Sequence, residues 1–286
     1  MRHRIFRIFL IILSVILIGC AAEGDNQITT YNDTAVHVSN ADDLITAFAD
    51  LRSDDVICLE ADIDMAGKTL PVVNYRSFTL DGNGHTIRNY HAEGVSALFV
   101  DYCADRSYTI RNLTIENCSV ISNDEHAALF VGGARDTDAV TITNCHAINC
   151  SVSGDKYAAV FIAYTAGLDK GDGSMIPMQI LDCSANNCNI SGGGSTGIAI
   201  GHSGGNDLTK NRIERLRIAD CTVEGPDQLH EGVVIGTAGD GLTELLDITV
   251  ENTVLSYNFG DTIRSYYGRN LKGLYIDEVQ VELTAQ

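Results

Sequence analysis

Three acidic residues recur at one place in a repeated sequence pattern and are candidates for a catalytic pair. Asp182 and Asp220 each precede a cysteine that ends a short apolar segment, and Glu251 lies close to the equivalent position. Glycoside hydrolysis needs two carboxyl groups about 5–9.5 Å apart beside one sugar bond. In two other copies, however, the same position holds Asn117 and Asn144. Alternation of Asn with Asp is typical of turns, so the pattern favours a structural ladder over catalysis.

Most of the nine cysteines belong to the same repeats. Strands about 4.8 Å apart bring stacked cysteines within disulfide range, but stacked side chains point the same way, which disfavours the bond. The Cys-x4-Cys spacing does not suit zinc, and no nearby histidine pair completes four ligands. We therefore predict free buried thiols and no metal or other cofactor. The predicted columns are Cys118, Cys145, Cys183 and Cys221 in one, and Cys150 and Cys188 in the other.

Two histidines occupy one repeat position, just before an apolar segment. They are His126 and His230, and the two copies between them have Tyr157 and Ser195 there. Three strand steps separate the histidines by about 14 Å, too far to share one ion. Each histidine is predicted to be isolated and exposed. The acidic segment 169–172 lacks the alternating acids of an EF-hand loop, so a plain turn is predicted, with a weak Ca2+ site as the alternative.

Aromatic and basic residues are concentrated near the C-terminus, where five aromatic residues lie within 257–275. Tyrosine combines flat apolar area with a polar tip, which suits contacts with sugars or proteins. Two interpretations stay open: the rings close the C-terminal end of the fold, or they form a binding surface. The candidate binding residues are Tyr257, Phe259, Arg264, Tyr266, Tyr267 and Arg269.

Short apolar segments that repeat along the chain must position all these residues. One series ends in Cys or its equivalent and comprises 113–118, 140–145, 179–183, 216–221, 248–253 and 274–279. A second apolar segment follows each of the first four, at 127–133, 158–163, 197–201 and 232–236. Short β-branched segments bounded by Gly, Asn and Asp at irregular spacing predict a solenoid with loops of varying length. Each turn buries its inner face only against its neighbours.

Within these repeats, 145–154 reads Cys-His-Ala-Ile-Asn-Cys-Ser-Val-Ser-Gly and 157–164 reads Tyr-Ala-Ala-Val-Phe-Ile-Ala-Tyr. This sequence resembles the GLUG-motif repeat, and 183–201 holds a looser copy. The segments 62–65 and 78–87 resemble those that precede such repeats in bacterial surface β-helix proteins. Alanine pairs replace the glycine pairs of that family at 127–128 and 158–159. The resemblance covers about 36–286 and implies an all-β, right-handed, single-stranded parallel β-helix.

Residues 40–51 depart from the strand pattern and predict an amphipathic helix that covers the first turn. Asn40 is a suitable N-cap, and Asp42 and Asp43 suit the first helical turn. The apolar stripe consists of Leu44, Ile45, Phe48 and Leu51. No equivalent helix is predicted at the C-terminal end, which the loop 257–273 or a partner would cover.

The first 20 residues have a basic start, an apolar run at 8–18 and a terminal Gly19-Cys20, as in a secretory signal. The tetrapeptide Leu17-Ile-Gly-Cys20 resembles the bacterial lipobox, which implies that Cys20 carries the lipid. The early acids of the following segment are similar to surface-export signals of Bacteroidetes-type lipoproteins. The predicted organisation is a lipoprotein signal peptide at 1–19, a lipidated Cys and tether at 20–33, and a β-helix at 34–286. The implied location is the outer membrane, at the cell surface.

The net charge of −19 excludes nucleic acid as a partner, because an acidic surface repels phosphates. His202, within Gly-His-Ser-Gly-Gly, is weakly similar to the Gly-His-Gly of galacturonases, but their companion acidic motifs are missing. We therefore predict a non-enzymatic, lipid-anchored adhesin that binds a glycan or a host or cell-surface protein. The alternatives are a polysaccharide lyase or glycoside hydrolase of the β-helix fold, and an assembly subunit that docks through its C-terminal end.

Overall fold

The computed structural model describes residues 35–103, 106–135, 139–166, 176–204, 209–226, 231–238, 242–255, 274–276 and 279–281. By compactness the chain divides into Met1–Asn32 and Asp33–Gln286, and the described residues all lie in the second unit. Within these ranges no helix has the length and apolar character needed to cross a membrane. Several predicted features lie outside the described residues: the signal peptide, Cys20 and its tether, the turn at 169–172, His230, and the candidate surface of Tyr257, Phe259, Arg264, Tyr266, Tyr267 and Arg269.

The described elements are short strands with one helix near the start. The first elements are β1 (Val36–Val38), α1 (Ala41–Ala49), β2 (Asp55–Leu59), β3 (Ile63–Asp64), β4 (Phe78–Asp81), β5 (Thr86–Arg88), β6 (His91–Glu93), β7 (Val100–Cys103), β8 (Ser107–Glu116), β9 (Ser119–Ser122), β10 (His126–Ala128), β11 (Val131–Arg135), β12 (Ala139–Ile148), β13 (Ser151–Gly154), β14 (Tyr157–Ala159) and β15 (Ile162–Ala166).

The remaining strands continue the same succession to the C-terminus. They are β16 (Ile176–Leu181), β17 (Ser184–Asn186), β18 (Asn189–Gly192), β19 (Thr196–Gly197), β20 (Ile200–Ser203), β21 (Thr209–Glu214), β22 (Arg217–Ala219), β23 (Thr222–Glu224), β24 (Ile235–Ala238), β25 (Leu242–Leu246), β26 (Thr249–Glu251), β27 (Val254–Leu255), β28 (Leu274–Ile276) and β29 (Val279–Val281).

Each strand pairs with the equivalent strand one turn later, so the chain coils into a parallel β-helix, which confirms the predicted fold class. The first sheet has 15 strands and includes β2, β4, β8, β12, β16, β21, β25 and β28 in that order. The second sheet runs β6-β9-β13-β18-β23-β27, the third β10-β14-β19 and the fourth β7-β11-β15-β20-β24. Only β28 and β29 pair antiparallel among the described strands, at the last edge of the first sheet.

Stacked apolar side chains fill the inside of the coil. In the first sheet the register places aliphatic side chains directly above one another, all at most 1% exposed: Ile57, Leu80, Ile110, Ile142, Ile180, Ile213 and Leu245. Phe99, Phe130 and Phe161 form a second column, with ring centroids 6.0 and 5.2 Å apart. Because these turns contribute side chains of similar volume at the same place, they stack closely on one another.

The predicted capping helix is confirmed as α1. The Asn40 side chain accepts hydrogen bonds from the backbone N–H groups of Asp42 and Asp43, at 3.0 and 3.1 Å. Leu44 and Phe48 are buried, and the Phe48 ring packs edge-on against Phe78 at 5.7 Å. The helix therefore closes the N-terminal end of the apolar interior.

The register within the first sheet corrects the predicted alignment of the repeats. Residues 140–144 pair with 108–112, and Cys145 lies beside Leu113 instead of Cys118. Four turns contain the pattern of an apolar segment followed by Asn or Asp twice, five residues apart, at 112 and 117, 144 and 149, 182 and 187, and 247 and 252. The similarity of 113–118 to 140–145 therefore relates the second half of one turn to the first half of the next.

Two ladders of residues with positive φ follow from this register. One, inside the first sheet, comprises Asn112, Asn144, Asp182, Arg215 and Asp247, with φ between 51° and 56°. The other, which we name the asparagine corner, lies between the first and second sheets and comprises Asn89, Asn117, Asn149, Asn187, Asp220 and Asn252, with φ between 46° and 57°. Asn and Asp tolerate this left-handed conformation better than other L residues do. The prediction that these Asn and Asp residues have a structural role in turns is thus confirmed, but they form two ladders instead of one.

The thiol columns are corrected in the same way. Cys118, Cys150, Cys188 and Cys221 stack in successive turns, because their following residues pair in the second sheet. Cys145 stacks on Cys183, since His146 pairs with Ser184. All six are buried free thiols, as predicted. Burial raises the pKa of the Cys145 thiol well above its usual value, which keeps it protonated.

Candidate functional site

Five ring-bearing side chains meet on the outside of the coil where the third and fourth sheets adjoin. We name this cluster the aromatic strip; it consists of Tyr102, His126, Tyr157, Tyr164 and His202. Each is partly exposed. Partly exposed tyrosine and histidine rings offer an apolar face together with hydrogen-bonding atoms at their edges, a combination common at ligand sites.

Strand register places the five rings in two adjacent columns. The first column contains His126 and Tyr157, which are direct partners in β10 and β14, and Ser195 follows one turn later. This confirms that these residues share one repeat position. The second column contains Tyr102, Gly133, Tyr164 and His202 on successive turns of the fourth sheet. Because parallel strands are about 4.8 Å apart, the second column spans about 14 Å.

The rings contact one another across turns. Tyr157 and His202 stack with centroids 4.5 Å apart and planes 11° from parallel. Tyr164 lies 5.3 Å from Tyr157 and is parallel to within 9°. His126, one turn earlier, is tilted by 51° against Tyr164 at 4.9 Å. Offset stacks and tilted contacts at these distances are favourable, so the rings hold one another in place.

Gly133 makes room for one of these rings. A Cβ at this position would lie 2.7 Å from Cδ2 of Tyr102, closer than carbon atoms approach. The glycine therefore allows the Tyr102 ring to lie against the backbone of the next turn. A side chain here would force Tyr102 out of the aromatic strip.

One ion pair lies beside the aromatic strip. Lys156 Nζ lies 4.9 Å from the centroid of the Tyr157 ring and 3.2 Å from the carboxylate of Glu125. A hydrogen bond to Glu125 raises the pKa of Lys156, and burial lowers the pKa of His126 below its usual value. The lowered pKa of His126 favours its neutral form, and the charge of Lys156 is offset by Glu125.

The prediction of an isolated, exposed His126 is wrong. Its ring contacts Tyr102, Tyr157 and Tyr164. The repeat pattern links His126 with Tyr157 in one column, but it does not connect this column with the neighbouring one. The available signal was the equal spacing of seven residues from Tyr157 to Tyr164 and from Ser195 to His202.

The candidate acidic pair is not formed. Asp182 lies beside Arg215, whose Nη2 donates a 2.8 Å hydrogen bond to its carboxylate, and this bond lowers the pKa of Asp182. Asp220 stands in the other ladder and accepts a 3.2 Å hydrogen bond from Asn252. Glu251 forms an ion pair with Arg217 at 3.0 Å. A glycosidase needs one carboxyl with a raised pKa facing a second, and these three acids are engaged separately.

Ser195, which lies beside the strip, does not form a nucleophile and base pair with His202. Ser195 Oγ lies 3.4 Å from His202 Nδ1, but it makes a shorter, 2.8 Å hydrogen bond to Thr237 Oγ1. Ser195 is 2% exposed. Its hydroxyl is therefore engaged with Thr237 and shielded from a large substrate.

Two shallow grooves cross other faces of the coil. A groove of about 220 Å³ lies on the second sheet and is lined by small polar residues such as Ser151, Ser153 and Ser191. Another, of about 350 Å³, lies on the first sheet beside His146 and Arg217. Neither brings several aromatic rings together, so the aromatic strip is the stronger candidate for ligand binding.

Comparison with known proteins adds a fold-level likeness. No family model matches this chain, and neither does any curated protein sequence. A solved structure described as a "putative immunoglobulin A1 protease from Bacteroides ovatus" aligns with 87% of this chain and 79% of its own, at 16% identity and a TM-score of 0.42. A likeness at this level carries no information about activity.

Proposed function

We propose that this protein is a lipid-anchored surface protein whose β-helix binds a neutral glycan along the aromatic strip. The observation that carries the proposal is the mutual stacking of Tyr157, Tyr164 and His202 on the outside of a rigid coil. Sugars present apolar C–H faces and hydroxyl groups, which match ring faces and the polar atoms at ring edges.

The local charge supports a neutral ligand. The protein as a whole carries a net charge of −19, which disfavours a polyanionic glycan. Around the strip, Lys156 is paired with Glu125, and the lowered pKa of His126 keeps its ring uncharged near neutrality. The strip therefore offers hydrogen bonding without a strong preference for a charged ligand.

Lipid attachment is the second part of the proposal. The lipobox resemblance at 17–20 supports Cys20 as the anchor, with 21–33 as the tether and the outer membrane as the location. A Cys20→Ala variant should lose fatty-acid labelling and appear in the soluble fraction of the producing cell. Retention of both label and membrane association in that variant would contradict the anchor.

The binding experiment is a neutral-glycan array with the chain that starts at residue 21. The expected result is specific binding that falls at least tenfold in Tyr157→Ala and in Tyr164→Ala. The matched control is Tyr75→Asn, because Tyr75 is 59% exposed outside the strip and its positive φ suits asparagine. An array without any binding, from a protein shown to be folded, would contradict the proposal.

The same sample distinguishes the alternatives. Cleavage of a bound glycan would favour the hydrolase or lyase. Dimers that depend on concentration and disappear when 279–286 is deleted would favour an assembly role through the C-terminal end.

A further inference from the structure

A second cluster of polar side chains lies at the N-terminal edge of the first sheet, on β1 and β2. His37 on β1 and Cys58 on β2 are direct partners in the parallel register. Glu60 follows Cys58 by two residues, so along an extended chain it projects to the same side. The nitrogen, sulfur and oxygen ligand atoms of the three residues all lie within 4.8 Å of one another.

The burial pattern shows why these side chains converge. Ile57 and Leu59, on either side of Cys58, are fully buried in the apolar interior. Cys58 therefore points to the outer face of the sheet, although it is itself only 1% exposed. His37 and Glu60 cover it, and their side chains are 50% and 44% exposed. A cation can thus approach from solvent, between the imidazole and the carboxylate.

We propose that His37, Cys58 and Glu60 bind a Zn2+ ion, with water as the fourth ligand. Imidazole nitrogen, thiolate sulfur and carboxylate oxygen are the three ligand types that zinc takes in proteins, whereas Ca2+ and Mg2+ take oxygen. In a tetrahedral zinc site the ligand atoms lie about 3.5 Å apart. The half-exposed side chains of His37 and Glu60 can close the remaining gap around the fixed Cys58.

Zinc binding replaces an existing contact and releases one proton. The imidazole Nδ1 of His37 contacts the Glu60 carboxylate directly. Zn2+ replaces this contact, and both groups turn their ligand atoms to the cation. The Cys58 S–H bond breaks, a Zn–S bond forms, and the thiol proton leaves to water.

A neighbouring acid stays out of the site. Asp81 is the partner of Cys58 on the next strand and is fully buried. Its carboxylate accepts hydrogen bonds from Arg111 Nε at 2.8 Å and Asn112 Nδ2 at 3.1 Å. The ion pair with Arg111 offsets the charge of Asp81 and holds its carboxylate away from the zinc ligands. The proposed site therefore has three protein ligands and one open position.

The site joins the first strand to the coil. β1 pairs with β2 through three residue pairs only, and α1 follows it directly. A metal held by His37 from β1 and by Cys58 and Glu60 from β2 and its end ties the two segments together. Zinc binding should therefore raise the thermal midpoint of unfolding, because it favours the folded state.

The test is titration of the full-length chain, carrying Cys20→Ala, with Zn2+ under reducing conditions. One Zn2+ per chain is expected to bind, with affinity at least tenfold lower in His37→Ala and in Glu60→Gln. With Co2+ as the probe, a sulfur-to-metal charge-transfer absorption should appear and should be lost in Cys58→Ala. His91→Ala is the matched control, because His91 is exposed on another sheet and bonds to Ser119.

Two results would overturn the zinc site. One is equal Zn2+ affinity in the parent, His37→Ala and Glu60→Gln. The other is a Co2+–sulfur absorption that persists without Cys58. Because His37 and Glu60 are half-exposed, their variants are expected to fold, so the test stands even if Cys58→Ala does not. None of these results bears on glycan binding.

Discussion

At the asparagine corner the same residue type returns on nearly every turn, whereas the aromatic strip has a different pair of residues on each turn. Asn149 and Asn187 are linked by a 2.8 Å side-chain hydrogen bond, and the thiols of Cys150 and Cys188 stack immediately behind them. In the strip, His126 is followed by Tyr157 and then by Ser195. In both regions the residues stack on successive parallel strands with the same spacing.

The difference separates a structural role from a binding role. At the asparagine corner each position needs a positive φ, and side chains such as that of Asn187 bond to the neighbouring turn, so few residue types fit. In the strip the backbone is ordinary extended strand and the side chains point outward, so the fold constrains them little. Large rings placed there are better explained by what they contact than by what the coil requires.

The largest expected contrast is between a charge placed in the thiol stack behind the asparagine corner and a charge placed in the aromatic strip. Cys150→Asp would bury a carboxylate among stacked thiols and should destabilise the protein by about 3 kcal/mol or more. His202→Asp, on the partly exposed strip, should cost less than about 1 kcal/mol. Chemical denaturation of both variants measures the difference. Equal losses would show that the strip is as much a part of the core as the thiol ladder.

A smaller effect is expected from the backbone of the asparagine corner. Asn149→Val places a β-branched residue at φ 55° and removes the amide ladder, which should cost about 2–3 kcal/mol. Asn149→Gly removes the same amide but tolerates the conformation, so its cost should be about 1 kcal/mol. Unfolding midpoints that are the same for Val and Gly would show that the conformation is not the limiting factor.

Protonation should disturb the aromatic strip modestly. Burial lowers the pKa of His126 in the folded protein, so below about 6.5 the unfolded chain binds more protons. Stability should therefore decrease as the pH falls from 7 through 6.5 towards the lowered pKa. His126→Gln should reduce this slope. Part of the remaining pH dependence comes from His146, because burial lowers its pKa as well. An unchanged slope in His126→Gln, measured by thermal unfolding between pH 5 and 8, would contradict this assignment.

The smallest expected effect is that of a reductant. Because the stacked thiols are free, a reducing agent should not shift the unfolding midpoint, and mass spectrometry should find all six stacked cysteines alkylated after denaturation. In the folded protein the same thiols should react slowly, since all are buried. Disulfides between Cys118 and Cys150, or between Cys145 and Cys183, would contradict the prediction that the stacked cysteines are free thiols.

The sequence alone was sufficient for the fold class and for the N-terminal cap. Short β-branched segments between Asn, Asp and Gly predict a solenoid because stacked turns bury them, and the resemblance of the repeats to a known family implies its parallel β-helix form. Asn40 before an apolar stripe predicts α1. Local signals of this kind need no partner to be recognised.

The register and the candidate site depended on the tertiary structure. Residues 113–118 and 140–145 have nearly the same sequence, and both halves of a turn bury alternate residues, so sequence similarity favours stacking Cys145 on Cys118. The folded chain instead stacks Cys150 there, in a register that pairs β8 with β12 along their full length and satisfies their backbone hydrogen bonds. Likewise, Tyr102 and His202 are 100 residues apart in the chain, and only the stacking of turns, one strand spacing at a time, brings them into the aromatic strip.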